Sequence, residues 1–158
     1  MKKILNFGSL NIDYVYAVAH TVRGGETEAS RGLEVFPGGK GLNQSIAAAR
    51  AGGTVSHAGK IGGDGTVLTD ILRESGVDTD FVTVGDGPSG HAVIQVDPSG
   101  QNCILLFGGC NQEITHEEID RALAHFHPRS RGCRINLHER IHCHFNALQV
   151  GDLMLSEH

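Results

Sequence analysis

Short apolar runs ending in glycine turns alternate along this chain with segments whose apolar residues recur at helical spacing. Lys3 to Phe7 is a first strand that runs into Gly8-Ser9, and Tyr14 to Val18 and Gly32 to Phe36 read as two more. A polar loop around Arg23-Gly24-Gly25-Glu26-Thr27 separates the latter two. Leu42 to Ala51 predicts a helix, because Ala47, Ala48 and Ala49 carry the strongest helix propensity and Gly52-Gly53 supplies a stop. Val55 to Ile61 is a strand, and Gly62-Gly63-Asp64-Gly65 opens a second helix with Asp64 as its expected N-cap. Val67, Leu68, Ile71 and Leu72 share one face of that helix and Gly76 closes it. Phe81 to Val84 is a short strand. His91 to Val96 and Asn102 to Phe107 flank the turn Asp97-Pro98-Ser99-Gly100, which predicts a β-hairpin. Thr115 with Glu118 forms a capping box ahead of Ile119, Leu123 and Phe126. Strands alternating with helices imply an α/β fold with a mostly parallel sheet, and the hairpin implies antiparallel strands outside it.

The candidate chemistry gathers at Pro37-Gly38-Gly39-Lys40-Gly41-Leu42-Asn43-Gln44-Ser45. Glycines let a ligand approach the backbone, and a helix starting at once turns its free N–H groups toward that turn. Lys40 adds a positive charge and Asn43 an amide that both donates and accepts. Asn11 and Asp13 follow the first strand, two residues apart and so on one face of an extended chain. Such a set suits a polyhydroxylated or anionic small molecule. Taken singly, Asp13 is equally readable as a turn starter and Asn43 as a brace for the helix start.

Composition narrows the classes. The 158 residues fit one domain with a substantial core, and the net charge of -5 argues against nucleic acid as the main partner. The 22 glycines exceed the usual share of about 7% and fall at turns without a collagen-like period. No apolar run approaches the roughly 20 residues of a membrane helix, so no membrane partner is expected. Four cysteines without CxxC spacing read as reduced thiols of a cytoplasmic protein.

The pattern changes after Phe126. Residues 127–150 form an atypical Arg-, His- and Cys-rich segment with weak periodicity, and residues 151–158 resemble the start of another core strand before the chain stops. Cys133, His138, His142 and Cys143 or His144 are zinc-ligand types, but no paired CxxC frames them and three are adjacent. A poorly packed tail or unrelated coding sequence is the preferred reading, and no metal site is assigned.

With these residues in place, the chain resembles the N-terminal half of a ribokinase-like (PfkB) carbohydrate kinase. The matching stretches are GSLNIDYVY (8–16), GGET (24–27), FPGGKGLNQSIAAARAG (36–52), GKIGGDGTVLTDILRESGVD (59–78), SGHAVIQVDPSGQN (89–102) and FGGCNQEIT (107–115). The resemblance implies a Rossmann-like, mostly parallel sheet with flanking helices over residues 1–126, plus a small antiparallel β lid from about 13–36 and 88–107. It implies that Asn11 and Asp13 bond sugar hydroxyls and that Gly38, Gly39, Lys40 and Asn43 grip the sugar. Asn111 is read as a turn residue beside Cys110, and His91 as either facing the sugar or lying on the lid surface. A homodimer through the lid is also implied.

The family's activity is ATP-dependent phosphorylation of a sugar hydroxymethyl group, with Mg and, in some members, a monovalent cation. A pentose, ribose above all, is the expected acceptor, because GGKGLNQ is closest to ribokinase wording. The family's aspartate base and anion hole belong to a GAGD-type motif in its second half. No such motif stands in this sequence, so no catalytic residue is assigned. A non-catalytic sugar-binding fragment or an inactive relic is the alternative.

Overall fold

The computed structural model describes residues 3–126 and the backbone of a strand at 133–137. Four parallel strands form the core sheet: β1 (Lys3–Phe7), β4 (Thr54–Ile61), β5 (Asp78–Val84) and β8 (Cys133–Leu137), in the order β5-β4-β1-β8. Four more form a lid: β2 (Asn11–Ala17), β3 (Gly32–Gly38), β6 (Gly90–Val96) and β7 (Asn102–Phe107), in the order β3-β2-β6-β7. Three helices complete the description: α1 (Lys40–Arg50), α2 (Thr66–Glu74) and α3 (His116–His125).

Side-chain alternation places helices on both faces of the core sheet. Along β4, Val55 and Ile61 point to one face, where they pack with Leu42, Leu68, Leu72 and Val77 beneath α1 and α2. Ala58 points to the other, packing with Leu5, Phe7, Ile119, Ala122 and Phe126 beneath α3. Helices on both faces of the sheet leave β4 buried almost throughout, and its buried polar residues Ser56 and His57 are hydrogen-bonded. Lys60 reaches from β4 to Glu118 of α3 at 3.1 Å, and Thr83 Oγ1 donates to Glu118 at 2.8 Å. The capping box of α3 forms in full: Thr115 N–H donates to Glu118 at 2.8 Å and Glu118 N–H to Thr115 Oγ1 at 3.2 Å.

Four features depart from the sequence reading. The second strand begins at Asn11, not Tyr14, because Asn11 pairs with both Gly38 and Gly90. The lid's two hairpin-like pairs are antiparallel as expected, but β2 and β6 join them in parallel. Asp64 does not cap α2: the cap position is Gly65, without a side-chain bond. Asp64 Oδ1 instead accepts from Ser89 N–H at 2.9 Å and from its hydroxyl at 2.7 Å. Finally, Cys133–Leu137 pairs in register with β1, although that segment showed little periodicity. The rest of 127–158, with His138, His142, Cys143 and His144 of the zinc reading, lies outside the described residues.

Candidate functional site

The chain passes between core and lid at four glycine-bearing crossings, and the candidate residues collect there. β1 ends at Phe7, and Gly8-Ser9-Leu10 leads straight into β2. The ladder sets Asn11 opposite Gly38 and Asp13 opposite Phe36, so both polar side chains share one lid face. A Cβ at Gly38 would overlap the Asp13 carboxylate, which lies over its backbone, so a side chain there would displace it. Gly39 has φ 97°, and a Cβ would come within 2.6 Å of Ser9 O, so only glycine fits there.

Gly39 is also the cap of α1, which has no side-chain cap and no acidic residue in its first turn. The first N–H groups of the helix, those of Lys40 and Gly41, have no carbonyl one turn back to bond. Lys40 and Asn43 stand exposed on this turn, and no side-chain bond of theirs is formed among the described residues. The helix terminus is thus an uncapped donor group facing the lid junction.

Beneath the turn, the helix start is locked to the core by a buried polar chain. Gly8 and Gly41 approach so closely that a Cβ on either would overlap the other's backbone. Asn6 Nδ2 donates to Gly41 O at 2.9 Å and to Ser45 Oγ at 2.8 Å. Ser45 Oγ meets His57 Nδ1 at 2.7 Å, and His57 Nε2 lies 3.2 Å from Gly8 O. A carbonyl only accepts, so Nε2 carries the ring proton and Ser45 donates to Nδ1. Burial pushes the His57 pKa down to about 4, keeping the ring neutral.

Asp13 is half-buried, and that burial raises its carboxyl above the ordinary range. No donor to its carboxylate is formed among the described residues. Asn11 is buried, and its Oδ1 accepts from Asn111 Nδ2 at 2.8 Å. The structure therefore brings Asn11, Asp13, Gly38 and Gly39 together, with Lys40 and Asn43 at the rim. His91 is not among them. Its register partner is Ile12, so it sits on the opposite lid face, its ring 6.0 Å from Tyr14 and 5.0 Å from Phe107. Ala92 and Ile94 share the Asp13 face instead, by the parity of the same ladder.

Sequence reasoning placed Asn111 in a turn, as it is, but missed its bonds to Leu10 and Asn11, and it missed Ser89 and the Asn6–Ser45–His57 chain. Asn111 and Ser89 sit in turn-like wording, and their partners Leu10 and Gly62 are 101 and 27 residues away. No local pattern reports a contact at that separation. Ser89 had one usable signal, its place just before Gly90 at the foot of the predicted hairpin.

A parallel α/β core bearing a separate four-stranded lid, with a glycine-rich helix start at their junction, defines a ribokinase-type α/β domain. The pfkB family carbohydrate kinase description matches residues 1–129, and the chain belongs to that family. It is 37% identical over 128 residues to the ribokinase of Haemophilus influenzae, covering 78% of this chain and 42% of that protein. It is similar to the structure of Cryptococcus neoformans ribokinase in complex with ADP, at 44% identity and TM-score 0.67, over 70% of this chain and 36% of that one. The Arabidopsis thaliana ribokinase complexed with ribose and ATP is also similar, at 28% identity and TM-score 0.64, over 75% and 41% of the two chains. The chain spans less than half the length of these relatives.

Proposed function

We propose that this domain binds the acceptor sugar of an ATP-dependent carbohydrate kinase, a pentose and most favourably ribose. The observation that carries the reading is the half-buried Asp13 carboxylate, which has no protein donor among the described residues and lies two positions from Asn11 over the Gly38 backbone. Sugar hydroxyls supply the missing donors. A vicinal diol offers O–H groups to Asp13 and lone pairs to an amide, and an analogue lacking a hydroxyl leaves those groups unpaired. Lys40, Asn43 and the free N–H groups of α1 complete the polar wall. Ala92 and Ile94 supply an apolar cover from the lid. The likeness to a ribokinase whose structure holds ribose and ATP supports the choice of sugar.

Among the described residues no group of three His, Cys, Asp or Glu residues is placed to hold an ion. No phosphoryl-transfer step is assigned to Asn11, Asp13 or Lys40, whose part is to bind and orient. A second reading, a sugar-binding module without turnover, is favoured by one observation: Asn11, Asp13 and Gly38 come together within this span of the chain. The lid's second face exposes Leu33, Val35, Leu105 and Phe107, which supports pairing of two copies through the lid.

Calorimetry of the purified chain with ribose, followed by an ADP-release assay with ATP and Mg, tests both readings. Ribose binding with turnover supports the kinase, and binding without turnover supports the module. Absence of ribose binding by a folded chain overturns the sugar assignment.

A further inference from the structure

We propose that Asn111 is a positioning residue that fixes the Asn11 amide with its Nδ2 toward the ligand, making Asn11 a donor beside the acceptor Asp13. This deepens the sugar-binding reading and rests on it for the identity of the ligand.

The orientation follows from two backbone groups that cannot change roles. Leu10 N–H only donates, so the Asn111 atom 2.9 Å away is its Oδ1. Leu10 O only accepts, so the Asn111 atom 3.0 Å from it is Nδ2. That same Nδ2 lies 2.8 Å from the Asn11 side chain, which must therefore present its Oδ1. Both hydrogens of Asn111 Nδ2 are then used. The Asn11 Nδ2 is left on the far side, without a protein partner formed among the described residues.

The surrounding glycines are shaped to this contact. A Cβ on Gly90 would overlap Asn111 Nδ2 and lie 2.5 Å from Asn11 Oδ1. Asn111 is carried by the 3-10 turn Gly109–Gln112, where Gly109 has φ 50° and Cys110 N–H donates to Pro88 O at 3.0 Å. One side chain thus joins the entry to β2, the foot of β6 and the turn after β7.

The chemical consequence is selectivity. Asn11 and Asp13 are two positions apart on one strand face, about 7 Å along the chain. With Asn111 in place they offer a donor and an acceptor, which match a diol's lone pair and its O–H. A reversed Asn11 amide would present two acceptors there, and the hydroxyl lone pair would go unmatched.

Ribose titrations by calorimetry on the full chain test this with Asn111→Ala, Asn11→Ala and the double variant. Asn111→Ala is expected to weaken ribose about tenfold, the factor equal to about 1.4 kcal/mol. In the Asn11→Ala background it is expected to cost nothing further, because its effect passes through Asn11. An equal loss in both backgrounds overturns the proposal, as does an unchanged affinity in a folded Asn111→Ala chain. Side-chain amide exchange by NMR on the unaltered chain needs neither variant folding nor ribose. Slow exchange at Asn111 with fast exchange at Asn11 supports the geometry, even if ribose fails to bind and the sugar reading falls. The reverse pattern overturns it.

Discussion

Acidification tests the buried polar chain under α1 most directly. His57 is fully buried, with Nδ1 taken by Ser45 and Nε2 by Gly8 O, and its pKa falls from 6.5 to about 4. The unfolded chain takes up a proton near pH 6.5, whereas the native chain does not until near pH 4. The stability associated with neutral His57 is therefore fully present above pH 6.5 and is lost as the pH falls toward 4. At about 1.36 kcal/mol per pH unit the total loss is about 3 kcal/mol, roughly 2 of it between pH 7 and pH 5. That is a large share of the 5–15 kcal/mol typical of a domain. Urea denaturation followed by circular dichroism at pH 7, 6 and 5 measures it. Other carboxylates titrate as well, so His57→Gln, which cannot protonate, is the reference. The variant is expected to be less stable at pH 7 but to lose about 2 kcal/mol less than the parent on going to pH 5. Parallel pH profiles for parent and variant would refute the reasoning.

Three further outcomes are expected. Asp13→Ala should weaken ribose by about ten- to a hundredfold, since bonds to a charged group are worth about 1.5–3 kcal/mol. Its urea midpoint should hold, and a fall instead would make the residue structural. Gly41→Ala places a Cβ against the Gly8 backbone and should cost about 2 kcal/mol or more, whereas Gly24→Ala, in open space, should change stability by less than about 0.5. Equal midpoints for the two would refute the close approach. Ser89→Ala removes the acceptor of Gly62 N–H, 2.9 Å away, and one donor to Asp64. A loss of about 1–3 kcal/mol is expected, with faster amide exchange along β6, and unchanged exchange there would deny Ser89 a part in anchoring the lid.

The periodic elements were legible in the sequence because their causes are local. Ala47 to Ala49 make α1 helical, Asp97-Pro98-Ser99-Gly100 turns the β6–β7 hairpin, and Thr115 with Glu118 starts α3, each within a few residues. Asn11, Asp13, Gly38, Gly39, Lys40 and Asn43 could be singled out for the same reason, as short polar and glycine wording beside strand and helix starts. What joins those pieces was not legible. Strand β2 starts at Asn11 only because Gly38 and Gly90 flank it, and Asp64 leaves its helix only because Ser89 arrives from the lid. The choice of Ala92 over His91 for the Asp13 face rests on register across strands nearly eighty residues apart, where one residue of slip reverses every side chain. Local propensity acts over a single turn or hairpin, while hydrogen bonds such as Asn111 to Leu10 exist only once the chain has closed. The residue types present were therefore a property of the sequence, and which of them stand together on one lid face was decided by tertiary packing.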